Sequence, residues 1–259
     1  MERVWDAEPT SFLYDKKRVR NWLIAKNGFV RILIRQVASG KNTQALRHIL
    51  RQAELRLEKA VKALAPKHVG GEIEEWNASH NALMEAQRAL AEDLGQPYAV
   101  DLDFPVQWDT GAPLPMLIQS DYKTALVFLL GGGLTGDGTS VQVVDAVSTY
   151  SVATVHFDYC VATQMGSPND EVFHGHSLYG KGLEAYRPMR VENSDWIKEL
   201  SKINSVHHYY DPKRWLDLNH YIFGFHDCTF ECVARAYSVK TSNQSIHDAA
   251  RAALNDICE

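Results

Sequence analysis

The sequence predicts an α+β fold, with an N-terminal helical hairpin followed by a mainly antiparallel sheet with flanking helices. Three observations carry this expectation. Apolar residues recur at helical spacing from Leu46 to Leu94, the texture turns to short runs rich in Val, Thr, Tyr and Phe after Pro97, and capped helical patterns return in the last quarter. The boundary falls near residue 96, giving a helical, basic region over 1–96 and an α+β domain over 97–259.

Taking the elements in order, Leu46, Leu50, Ala53, Leu57, Ala60 and Leu64 step by three and four, which is one stripe of a helix that Pro66 ends. After Gly70-Gly71 the pattern resumes through Ile73, Trp76, His80, Leu83, Gln87, Leu90 and Leu94, and Gly95 closes it. Residues 16–38 read as a broken helix, or as a helix and a strand, interrupted at Asn27-Gly28. Strands are expected over 99–106, 116–119, 123–130, 140–147 and 151–159, at intervals too short for helical crossovers, so the sheet is antiparallel. Ser194 is placed to cap a helix burying Trp196, Leu200 and Ile203, and Asp211-Pro212 opens a short one. Residues 220–239 form a strand pair or one bent strand. Ser245 then caps a last helix with Ile246, Ala249, Ala253 and Ile257 in register.

Composition narrows the classes. The net charge of -5 conceals a +4 first hundred residues and a -9 remainder. Ten basic residues lie between Lys16 and Ala53 with no acid among them, including Lys16, Lys17, Arg18, Arg20, Arg31, Arg35, Arg47 and Arg51. Such a tract calls for negative charge nearby, from the acidic half of the chain itself, from nucleic acid or from an acidic protein. No segment approaches the ~18 consecutive apolar residues of a membrane span, so no membrane partner is expected. The start Met1-Glu2-Arg3-Val4-Trp5-Asp6 has no signal-peptide pattern, and four unevenly spaced cysteines make no disulfide framework, so a soluble, cytoplasmic setting is expected.

Two motifs are set aside. Gly131-Gly132-Gly133-Leu134-Thr135-Gly136 matches G-x-G-x-x-G, but a strand pattern follows where a dinucleotide site needs a helix. In Ser39-Gly40-Lys41-Asn42-Thr43 the first glycine of a phosphate loop is replaced by Arg35.

The chemistry-bearing residues concentrate in the acidic half, where eight of eleven histidines lie between 156 and 247. On an extended strand His174 and His176 would share one side, a workable spacing for two ligands of one divalent transition metal. Asp227, Glu231 or Glu184 would complete the site, although position 180, where a cupin-like carboxylate is wanted, is Gly180. Along 226–234, His226, Cys228, Phe230 and Cys232 share one face, and Asp227, Thr229 and Glu231 the other. The change from an apolar to a polar face there predicts a bulge or turn near Gly224 to Asp227.

Pro168-Asn169-Asp170-Glu171, His174-Gly175-His176-Ser177-Leu178, Gly182-Leu183-Glu184-Ala185-Tyr186, Asn193-Ser194-Asp195-Trp196-Ile197 and Phe225-His226-Asp227-Cys228-Thr229-Phe230-Glu231-Cys232 resemble segments of a group of uncharacterised bacterial proteins. The resemblance covers about 75 residues from Cys160 to Ala234. It implies Pro where Ser177 stands and Ser where Cys228 stands, which weakens a thiol role for Cys228. It implies no activity.

The expectation is therefore a pocket for a small polar ligand. Its catalytic candidates are His226, Asp227 and Glu231, its ligand-binding candidates His174, His176, Glu184 and Cys228, and its metal-ligand candidates His174 and His176. Metal-dependent or acid/base hydrolysis by the same cluster is one alternative. An interaction protein working through residues 16–53 is the other.

Overall fold

A computed structural model describes residues 43–64, 70–131 and 144–259. The basic residues from Lys16 to Arg35, the segment 16–38, the phosphate-loop look-alike up to Asn42 and most of the Gly131 to Gly136 run lie outside the described residues. Helices and two antiparallel sheets make the fold α+β.

Helices α1 (Thr43–Leu64) and α2 (Gly70–Asp93) pack as the predicted hairpin. Leu50, Ala53 and Leu57 of α1 bury against Leu83, Ala86 and Leu90 of α2; all but Ala86 are residues the three-and-four spacing selects. Arg47 and Arg51 stand on α1, with Arg51 exposed. No helix among the described residues is long and apolar enough to cross a membrane.

The remainder is built in layers. One sheet has the order β1-β6-β7-β8-β5, from β1 (Tyr98–Asp101), β5 (Ala162–Gly166), β6 (Pro188–Glu192), β7 (Asn219–Gly224) and β8 (Thr229–Ala234). The other has the order β2-β3-β4-β9, from β2 (Met116–Gln119), β3 (Thr124–Leu129), β4 (Tyr150–Asp158) and β9 (Ala236–Gln244). Their facing sides enclose an aromatic core of Trp108, Phe128, Phe157, Phe223, Phe225 and Phe230. Tilted pairs at centroid separations of 4.9 to 5.5 Å, and a stacked Phe223–Phe225 pair at 6.4 Å, avoid the face-to-face sandwich that ring quadrupoles disfavour.

Each sheet has a covered outer face. Helix α4 (Ile246–Cys258) lays Ile246, Ala249, Ala253 and Ile257 over Ala125, Val127, Leu129 and Val152 of the second sheet. Ser245 caps it, accepting from the Asp248 amide at 3.1 Å. On the first sheet, Phe173, Leu178 and Leu183 from the 170–187 connection cover Ala99, Met189, Val191 and Ile222.

Several expectations change. The strand expected over 140–147 is not formed at 144–147, and 140–143 lie outside the described residues. β5 and β6 were not foreseen. Residues 220–239 resolve into three strands rather than a pair or one bent strand, and the turn near 224–227 is a hairpin joining β7 to β8, closed by the Phe225 amide on the Cys228 carbonyl at 2.8 Å. Helix α3 (Asp195–Asn204) is capped by Ser194 as expected, but none of its own residues is buried and Ile203 is 60% exposed.

Candidate functional site

Strand β8 presents two chemistries because alternate side chains leave a sheet on opposite faces. Phe230, Cys232 and Ala234 enter the aromatic core, so Glu231 is forced to the other face. There it pairs in register with Gln164 of β5 on one side and Ile222 of β7 on the other, with His220 on the diagonal. A carboxylate at 6% exposure needs partners. Gln164 Nε2 donates to Oε1 at 2.6 Å, His220 Nε2 donates to Oε2 at 2.8 Å, and His176 Nε2 stands 3.6 Å from Oε1. Burial pushes the Glu231 carboxyl up, but the His176 and His220 rings and Gln164 together outweigh it and hold the group at about 2.

These contacts set the tautomers. The Leu178 amide donates to His176 Nδ1 at 3.2 Å, which leaves Nε2–H to face Glu231. With His220 Nε2–H committed to the carboxylate, the tautomer that carries no proton on Nδ1 accepts there from the Ser194 hydroxyl, 2.9 Å away. Ser194 Oγ in turn accepts from the Ile197 amide at 3.3 Å as the cap of α3. Trp196, on the first turn of α3, meets the His220 ring edge-on at 5.1 Å. The result is a continuous buried line, Ser194 to His220 to Glu231, whose members are 6%, 5% and 6% exposed. Gln164, His176, Ser194, Trp196, His220 and Glu231 line a cleft of about 430 Å³, and Asp195 and Glu199 add two more carboxylates to its wall.

A second cluster forms around His226 in the β7–β8 turn. Tyr186 donates its hydroxyl to Asp170 Oδ2, and His226 Nδ1 lies 3.0 Å from the same hydroxyl and 3.1 Å from the same carboxylate oxygen. Burial raises the Asp170 carboxyl, but Tyr186 and His226 overcome this and hold it below the usual range. Burial, and then Asp170 itself, pushes the Tyr186 phenol above its ordinary value. A 3₁₀ helix over Asp170–Gly175 joins the clusters, with Asp170 at its start beside His226 and His176 just past its end beside Glu231.

The structure thus divides the residues selected from sequence. His176 and Glu231 meet in the cleft, while His226 sits in the second cluster with Asp227 Oδ1 4.0 Å from its Nε2. His174 is exposed, edge-on to Tyr179 at 6.4 Å. Glu184 pairs with Arg187 at 3.3 Å on the surface. Cys228 packs at the edge of the aromatic core, and burial raises its thiol.

The strand assumed for His174 and His176 is corrected. The 3₁₀ helix turns through three residues per revolution, so residues two apart diverge. Among the described residues no group of three or more His, Cys, Asp or Glu side chains is gathered as a metal ion requires. His176 Nδ1 is already occupied by the Leu178 amide.

Sequence reading missed Ser194 as more than a cap, and missed His220, Gln164, Asp170 and Tyr186 as site residues. No protein family, curated protein or solved structure matches the chain, and the chemistry of the cleft is read from its own geometry.

Proposed function

We propose that the chain binds a small polar ligand, uncharged or cationic, in the cleft between β5, β8 and the first turn of α3. The carrying observation is the lining itself. Three carboxylates, from Asp195, Glu199 and Glu231, stand around about 430 Å³ together with two imidazoles and the Trp196 indole, and among the described residues neither Lys nor Arg lines the wall. Anions meet repulsion in such a site, whereas an ammonium group gains from the carboxylates and from an indole face. Hydroxyl and amide groups find donors and acceptors at Gln164, Ser194 and the imidazoles.

Binding is tested with choline, ethanolamine and acetamide against acetate and inorganic phosphate, followed by thermal shift and by the Trp196 indole signal in NMR. Expected are saturable perturbation by at least one of the first three and weaker binding of the cations in Glu199→Gln. Perturbation by acetate or phosphate alone, or by none of the five, would overturn the reading.

A further inference from the structure

We infer that Ser194, His220 and Glu231 form a nucleophile, base and carboxylate relay that hydrolyses small uncharged or cationic esters, an activity that rests on the cleft being a ligand site. Three features carry this. The first is the unbroken hydrogen-bonded line, Ser194 Oγ to His220 Nδ1 at 2.9 Å and His220 Nε2 to Glu231 Oε2 at 2.8 Å. That is the constellation in which a serine hydroxyl loses its proton to a ring that a buried carboxylate orients. The ring is used in the reverse sense from the commoner arrangement, with Nδ1 toward the serine.

The second feature is where the serine sits. Strand β6 ends at Glu192, Asn193 turns the chain sharply with φ of +54°, and Ser194 follows on the turn that opens α3. Strand, tight turn and helix with the serine at the corner is the layout of a nucleophile elbow, reached here without the flanking glycines. The third is charge compensation. The amides of Asp195 and Trp196 lie in the first turn of the ten-residue α3, where helical geometry gives them no intrahelical acceptor, beside the positive end of the helix dipole. They are the donors for an oxyanion formed at a carbonyl carbon attacked by Ser194.

The reaction consumes one water and no other reagent. Ser194 Oγ bonds to the ester carbonyl carbon while its proton passes to His220 Nδ1. The C–O bond to the alcohol breaks, the alcohol leaves with that proton, and an acyl-serine remains. Water then attacks the acyl carbon, gives its proton to His220, and releases the acid as the serine takes the proton back. Glu231 stays ionised throughout and acts as a positioning residue, holding the imidazole and its positive charge in the intermediates.

The experiment uses the full chain with p-nitrophenyl acetate, a choline ester and a fluorophosphonate, read by product release and by intact and peptide mass. The expected result is ester turnover, a covalent adduct on the Ser194 peptide, and loss of both in Ser194→Asn. Asparagine keeps a capping oxygen, so helix α3 is retained while the nucleophile is removed. A drop of at least about a hundredfold is expected in that variant. In Glu231→Gln, kcat falls with KM little changed. Choline or acetamide binding with no turnover and no adduct would sink the relay while leaving the ligand site standing. Turnover unchanged in Ser194→Asn would sink it equally.

Discussion

Glu231 and His220 face each other across neighbouring antiparallel strands, carboxylate Oε2 to ring Nε2 at 2.8 Å, on the sheet side turned away from the aromatic core. The pair is a diagonal one, because His220 is in register with Val233 and Glu231 with Ile222. Both groups are buried, so the pair stands in a medium where an unmatched charge is costly.

Acid should therefore weaken the fold through Glu231. The folded carboxyl is held at about 2, below its ordinary 4.5, so its contribution is fully present above about pH 5 and is lost as pH falls through the folded value. The size is roughly 3 kcal/mol for a group this buried. Urea unfolding between pH 6 and pH 2.5 should show the wild type losing more stability than Glu231→Gln. Parallel pH profiles for the two proteins would assign the acid sensitivity elsewhere.

Ser194→Ala removes the α3 cap and leaves His220 Nδ1 without its hydroxyl. The expected loss is about 1 to 2 kcal/mol, and Ser194→Asn should lose less because it still caps. Chemical denaturation of both variants measures the difference, and a larger loss in the asparagine variant would contradict the assignment.

Gly182 holds φ of +94°, and a Cβ there would run into the Ala99 carbonyl oxygen of β1. Neither the conformation nor the backbone contact yields to a side-chain rotation. Gly182→Ala should cost about 2 kcal/mol or more, read as a fall in Tm of several degrees. An unchanged Tm would show that β1 moves away freely.

The four cysteines should react in a set order with an aromatic disulfide reagent. Cys258 is exposed and reacts first, and Cys228, half-buried with its thiol raised by burial, follows slowly. Cys160 has a thiol lowered to about 7, chiefly through its hydrogen bond with Cys232, yet both side chains are fully buried. They should react only in denaturant. Fast native labelling at Cys160 would mean that its low pKa outweighs its burial.

What was legible in the sequence is what local periodicity encodes. The stripe through Leu50, Ala53 and Leu57, the caps at Ser194 and Ser245, and the face Ile246, Ala249, Ala253 and Ile257 all depend on residues within a few positions of one another. The site depends on register between segments far apart in sequence. Glu231 meets Gln164 across 67 residues and His226 meets Asp170 across 56, and no spacing rule reports either. β5 and β6 escaped notice because neither has a run of buried apolar residues, and β6 begins at a proline. His220 lay within the dense histidine segment, but only the β7–β8 pairing distinguishes it from His226, and the assumption of an extended chain at 174–176 gave weight to His174 instead.

β8 has hydrogen-bonded neighbours along both edges, and all six of its residues are buried. Amides in such a strand exchange with deuterium only when the whole domain opens, so the floor of the cleft has the lifetime of the fold itself. Helix α3, with none of its own residues buried, is free to open in smaller excursions. Any fit to a guest must come from that wall. Slowed deuterium uptake on binding should accordingly fall on Asp195 to Leu200 and leave Glu231 untouched, because its proton clock already runs at the slowest rate the molecule has.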